Sequence, residues 1–256
     1  MRIWPIYKKE LRLYFTSAVA YAVLTAFLFV MGLFFIGIFS AFVRFSLQAA
    51  ANPMMARDLN ATDMVMRQLF SNMSVIILFL TPLLTMRVFA EERRSGTIEL
   101  LLTYPVRDGA VVLGKYLAAL TLYGVMLSMT LVYPAILWRF GSRLESGPLL
   151  TGYLGLVLMG AAFLAMGFLA SSLTENQIIA AISTFAVLLS FWVAGWFADA
   201  AGPTWGGVLR HLSLIEHNEN FSKGVLNTKD VIYYLDFTLL SLFVTLRSVE
   251  ARRWKG

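Results

Sequence analysis

The chain has 256 residues, 59% of them hydrophobic and only 14% charged, against roughly 25% charged in an ordinary soluble domain, which excludes a soluble single-core fold. The net charge of +6 comes from basic residues that flank apolar runs. That is the pattern of membrane topology and anionic headgroups, and it argues against nucleic acid as a partner. Cysteine is absent, so disulfides, thiol catalysis and Cys-bearing metal sites are excluded.

Residues 3–15 put Trp4, Tyr7, Leu11, Tyr14 and Phe15 on one helical face and Lys8, Lys9 and Arg12 on another. This predicts an interfacial helix on the inner leaflet, with a cytoplasmic extension of the first span as the alternative. Uncharged runs occupy 13–43, 68–86, 116–138, 146–174 and 176–198, each 19 to 31 residues long. About 20 apolar residues cross the hydrocarbon core, so each run predicts a transmembrane helix. Residues 231–246, interrupted by Asp236, are a shorter sixth candidate. The expected fold is an all-α polytopic membrane protein, a single transmembrane domain over 1–256 with spans at about 17–40, 68–88, 115–138, 149–172, 176–198 and 231–247. Ala18-Val-Ala20 and Ala20-Tyr-Ala22 stand at the start of the first apolar run and not after it, so that span is expected to be retained and not cleaved as a signal.

Alternate connections carry 13 and 8 Lys and Arg residues. The richer side includes both terminal clusters, which predicts that both ends are cytoplasmic. On the other side, the connection at 199–230 contains Gly202-Pro203 and Gly206-Gly207 as breaks, then Val208, Leu209, Leu212 and Ile215 at helical spacing. It reads as short helices lying in or dipping into the outer interface. No repeat and no pair of broken helices in the two halves is present, which weakens a secondary-transporter reading.

Few motifs could carry chemistry. Gly109-Ala-Val-Val-Leu-Gly114-Lys115 is followed by Tyr116 where a P-loop needs Ser or Thr for magnesium, and it leads straight into span 3. His211 and His217 with Glu216 and Glu219 fit no zinc signature and read as polar interface residues. Asn60-Ala-Thr62 and Asn72-Met-Ser74 match a short glycosylation triplet, to which no function is attached. Asp236 stands apart, because an acid at the bilayer centre costs about 2.5–3.5 kcal/mol on insertion scales. Five residues into the sixth segment, it either sits at the outer interface or makes a polar contact at a subunit seam.

The longest inner loop covers 87–115. Span 2 is expected to run on as helix through Glu91, Glu92, Arg93 and Arg94 and to break at Ser95-Gly96. A short helix follows with Ile98, Leu101 and Leu102 on one face, stopped before Pro105. Asp108 is placed to cap the helix of span 3. So short a helix falls below the roughly 12–15 residues needed for marginal stability, so its apolar face should dock on the membrane surface or on a cytoplasmic partner.

Glu91-Glu92-Arg93-Arg94-Ser95-Gly96-Thr97-Ile98-Glu99-Leu100-Leu101-Leu102-Thr103-Tyr104-Pro105-Val106, followed by Leu113-Gly114-Lys115, resembles the acidic-Gly-Thr-x-Glu-x-Leu-Leu-x-x-Pro signature of ABC-2-type transporter permeases. Ser171-Ser172-Leu173-Thr174-Glu175-Asn176-Gln177, Leu214-Ile215-Glu216-His217 and the segment 247–254 are similar to the branch described as gliding-motility-associated permeases. The resemblance implies an ABC-2-type exporter fold in the bacterial cytoplasmic (inner) membrane. It implies a noncatalytic subunit pairing with a second permease, homodimeric or heterodimeric, and with two copies of a separate ATP-binding subunit that holds the ATP and Mg. No cofactor is then expected in this chain itself. Carried over by position, Glu91, Glu92, Gly96, Thr97, Ile98, Glu99, Leu101, Leu102 and Pro105 would form a coupling helix in the loop 90–109, and Glu175 with Asn176 would line the second inner loop. Residues 3–15 would be the elbow helix, and 199–230 the outer segments that close the pathway. A noncatalytic membrane scaffold and a gradient-driven secondary transporter are the alternatives.

Overall fold

The computed structural model describes residues 3–50, 60–96, 107–142 and 144–253, and among these all regular structure is helical. Helix α1 covers Ile3–Thr16 and α2 covers Ala18–Ala50. A π-helical turn at Thr62–Arg67 leads into α3, Gln68–Thr85, followed by the short α4, Ala90–Arg94. Then come α5 (Asp108–Met129), α6 (Val132–Arg139), α7 (Ser146–Leu173) and α8 (Gln177–Val193). Two short helices, α9 (Gly202–Leu212) and α10 (Leu214–Ser222), precede the terminal α11 (Thr228–Arg253). Six stretches are long and apolar enough to cross a membrane: Ala18–Ala50, Thr62–Arg94, Asp108–Arg139, Ser146–Leu173, Gln177–Phe197 and Thr228–Ala251. The expected all-α, six-span architecture is present.

Helix α7 is the hub, packing against α11, α3, α8, α10 and α5. Apolar side chains gain little by leaving lipid for each other, so close helix contact depends on small residues that let backbones approach. Gly160 does this for α5. A Cβ at that position would run into the Tyr123 ring, and the approach lets the Tyr123 hydroxyl donate to the Leu156 carbonyl at 2.6 Å. Phe163, Phe168, Phe70, Met73 and Phe27 are fully buried in the same core cluster. The outer spans are far less covered: 61% of the apolar window of span 4 is buried, against 28% for spans 1 and 5 and 17% for span 6.

Span 2 departs from the continuous helix expected through Arg94. The helix is interrupted at Met86–Phe89 because the Ser171 hydroxyl of α7 inserts into its hydrogen-bond ladder. Ser171 Oγ accepts from the Phe89 and Ala90 amides at 3.1 and 3.2 Å and donates to the Met86 carbonyl at 3.2 Å. The expected stop at Ser95-Gly96 is present, with Gly96 at φ +69°, a left-handed conformation that favours glycine.

Two local expectations are corrected. The cap position of α5 falls on the extended Arg107, and Asp108 instead occupies the first helical turn. The Gly206-Gly207 pair lies inside α9 and does not break the chain, since Gly206 lies so close to the Ala198 carbonyl that a Cβ would not fit.

The connections sort to two ends of the bundle. At one end α1 packs on α5, and the Ser248 hydroxyl of α11 reaches the Ser172 carbonyl at 3.3 Å. At the other, Asn60 donates to Glu145 at 2.7 Å, the Thr62 hydroxyl accepts from the Glu145 amide at 2.9 Å, and α9 and α10 fold over.

Candidate functional site

At the α1 end, three helices meet around one ammonium group. Lys115, near the start of α5, is almost fully buried, and its Nζ lies 2.7 Å from Glu92 Oε1, 3.1 Å from Glu10 Oε1 and 3.2 Å from the Val88 carbonyl. An ammonium has three donors and no acceptor, so this set satisfies it completely. Glu92 belongs to α4, Glu10 to α1, and Val88 to the turn between α3 and α4, so α1, the end of span 2 and the start of span 3 are joined at one point. The Phe89 ring lies below the ammonium, 5.6 Å from its centroid.

The sequence around Lys115 is built for this contact. Gly114 gives α1 room, since a Cβ there would come within 2.9 Å of Ile6 Cγ2. One turn and a half further on, the Tyr7 and Thr121 hydroxyls meet at 3.1 Å. Glu10 is the one buried residue of α1. Of the face expected to meet the bilayer, Trp4 and Phe15 are exposed, whereas Tyr7, Leu11 and Tyr14 are half-buried. Burial, and then the Glu10 charge, pushes the Tyr14 phenol up, so it stays neutral.

Beside this cluster lies a cavity of about 470 Å³ lined by Tyr14, Val19, Leu84, Arg87 and Glu91. Glu91 is exposed and Gly96 ends α4. Thr97, Ile98, Glu99, Leu101, Leu102 and Pro105 lie outside the described residues. In the tight connection at 174–176, Glu175 is exposed. Asn176 there has a local task, accepting from the Ile178 amide at 2.9 Å as the N-cap of α8. Both loops approach each other through Ser171 and the α4–α8 contact.

The far end holds a second polar assembly. Asp230, buried in the first turn of α11, lies 2.6 Å from His217 Nδ1 and accepts from Asn220 Nδ2 at 2.8 Å. His217 Nε2 meets the His211 carbonyl at 3.0 Å, and the His217 ring stacks on Tyr233 at 4.0 Å. With both ring nitrogens engaged, His217 locks α10 to α11. His211 and His217 stand 5.7 Å apart, and among the described residues no group of three or more His, Asp or Glu is placed to hold a metal ion.

The sequence as a whole matches the model of the ABC-2 family transporter proteins over residues 4–242. The chain belongs to that family. As an ABC-2 family protein it is a multi-pass membrane permease component of an ABC transporter, and the family implies association with an ABC ATP-binding subunit. Comparison with curated proteins gives no match. The family match does not support the narrower gliding-motility branch.

Sequence reasoning missed the two assemblies that organise this ABC-2 protein. Lys115 reads as a topology charge, as part of a failed P-loop and as the end of the family motif, none of which points to a buried ion pair, and Glu10 sits unnoticed among the lysines of α1. The available signal was an isolated acid in a basic helix and an isolated base one residue before an uncharged run. His217, read as an interface residue, is instead buried against Asp230, which the sequence reading had not singled out.

Proposed function

We propose that this chain forms half of the pathway of an ATP-driven exporter in the bacterial cytoplasmic membrane, with both chain ends cytoplasmic. It pairs with a second permease subunit, and each of the two docks on an ATP-binding subunit, which holds the ATP and Mg. The segment 90–109 is the docking element, with Glu99, Leu101 and Leu102 presented to the ATPase and Glu175 beside it.

The observation that supports this reading is the Lys115 junction. Glu92, near the start of the docking segment, and Lys115, six residues beyond its end, are joined at 2.7 Å, and Glu10 joins the same point. A push on the segment therefore reaches α1, span 2 and span 3 together, which is what coupling between an ATPase and a pathway requires. Ser171 adds span 4 to the same unit through the Phe89 and Ala90 amides.

The cysteine-free sequence makes single cysteines clean cross-linking probes. Glu99→Cys, Leu101→Cys and Glu175→Cys should each cross-link to the ATP-binding subunit in native membranes, and Trp205→Cys at the far end should not. Cross-linking from Trp205→Cys alone, or from none of the four, would overturn the assignment.

A further inference from the structure

His217 is held on both sides by groups that accept. Its Nε2 meets the His211 carbonyl at 3.0 Å and its Nδ1 meets Asp230 Oδ1 at 2.6 Å, with His217 and Asp230 both buried by the chain itself. A neutral imidazole has one N–H donor and one bare nitrogen, and neither a carbonyl nor an ionised carboxylate has a hydrogen to give. Neither tautomer therefore satisfies both contacts. Turning the ring over does not help, because that would set carbon atoms against the two oxygens. The other carboxylate oxygen is also engaged, since Asp230 Oδ2 accepts from Asn220 Nδ2 at 2.8 Å. The contacts balance only with one further proton between Nδ1 and Oδ1.

We propose that the cap formed by α9 and α10 is fastened to α11 by this bound proton, and that the fastening opens when the proton is lost as the pH rises. With the proton in place the His217–Asp230 pair carries no net charge. Without it the pair keeps the charge of a buried carboxylate and one contact has no hydrogen, which is costly away from water. No neighbouring side chain stands in for the proton. On α11, Tyr233 stacks on the ring at 4.0 Å and donates its hydroxyl to the Leu212 carbonyl, and Tyr234 donates to the Leu214 carbonyl. Lys229 is exposed and forms no ion pair with Asp230, and Asp236 lies exposed further along the same helix. On α9, Arg210 pairs with Asp199, and the exposed His211 ring lies 5.7 Å away. On α10 itself, Glu219 pairs with Lys223 and Arg67, and Glu216 lies towards Gly195. Helices α7 and α8, which also pack on α10, carry no charged residue, and Tyr153 of α7 is held by Thr130. The proposed docking at 90–109 plays no part in this fastening, so the two readings are tested separately.

The test is hydrogen exchange on the full chain in phosphatidylcholine nanodiscs from about pH 5 to about pH 8, the interval in which histidine is the side chain that ordinarily changes charge. Rates are corrected for the intrinsic pH dependence of amide exchange. A proton held by native contacts stabilises the fold where it is bound and not where it is released. In the wild type, α9, α10 and the first turn of α11 should therefore open at least about fivefold more readily at the upper end than at the lower, the smaller effect of stranding one buried polar group, while α1 and α5 hold steady. Asp230→Asn supplies the missing hydrogen, because its amide can donate to a neutral Nδ1 while its carbonyl accepts from Asn220. That variant should keep the cap closed at the upper end. His217→Gln should open to the same degree at every pH, and His211→Gln, which keeps the backbone carbonyl, should behave as wild type. A flat wild-type profile, opening at the lower end instead, or an Asp230→Asn profile that follows the wild type would overturn the proposal. So would loss of the pH response in His211→Gln, because the exposed ring would then be its source.

Discussion

Glu92 and Lys115 close an ion pair of 2.7 Å across the segment that separates α4 from α5, with the Lys115 side chain only 3% exposed. Removing one member of a buried pair leaves an uncompensated charge and typically costs about 3–5 kcal/mol. Lys115→Met should therefore lower the melting temperature of the purified protein sharply. Lys115→Arg should not restore it, because a planar fork cannot reproduce three divergent contacts. Adding Glu10→Gln and Glu92→Gln to Lys115→Met should recover part of the loss, since the stranded carboxylates are then removed. Wild-type melting of Lys115→Met alone would show that the junction does not hold the helices together.

Helix contact at Gly160 gives a second prediction. Gly160→Val places methyl groups where the Tyr123 ring lies, and overpacking of this kind costs about 1–3 kcal/mol. Gly124→Ala, on α5 with open space around it, should be neutral or stabilising by up to about 1 kcal/mol. Thermal melts of the two variants in one detergent check the pair. Equal effects would mean that close approach at α7 is not what the glycine supplies.

A third prediction concerns the far end. Asp230→Ala removes the partner of both His217 and Asn220, and His217, the buried one of the two, costs about 1–3 kcal/mol when left unsatisfied. Because the lost contacts are local to α10 and α11, hydrogen exchange should quicken in α9, α10 and the first turn of α11. Exchange in α1 and α5 should be unchanged. Faster exchange throughout would show that this assembly supports the whole bundle.

The spans were legible because hydrocarbon thickness imposes a length on them, and uncharged runs of that length are easy to read. The first short helix of the 199–230 connection was legible from the helical spacing of Val208, Leu209 and Leu212, whereas Ile215 belongs to the next helix, beyond the extended Ser213. The interruption of span 2 was not, because it is caused by Ser171, which lies more than 80 residues away, and no local propensity encodes it. The Lys115 junction stayed hidden for the same reason. Glu92 reads as part of the coupling segment, Lys115 as a flanking charge and Glu10 as nothing in particular until the packing of α1 on α5 brings them together. The docking role proposed for Thr97 to Pro105 rests on the sequence motif, and these positions lie outside the described residues.

On the coupling reading, Glu99→Arg and Leu101→Asp alter only the docked face. Both variants should insert into the membrane and purify as wild type does, yet ATP hydrolysis by the assembled complex should fall at least tenfold, equivalent to about 1.4 kcal/mol or more of lost interaction. Full hydrolysis by both would remove these residues from the docking element.

The central claim, that this permease works through a separate ATPase held at 90–109, is tested most directly by affinity purification of the tagged chain from native membranes in mild detergent, with mass spectrometry and an ATPase assay on the eluate. The predicted result is a stoichiometric ATP-binding subunit and ATP hydrolysis with the wild-type chain, both lost with Leu101→Asp. A permease recovered alone, under conditions that keep a known transporter complex intact, would contradict the account.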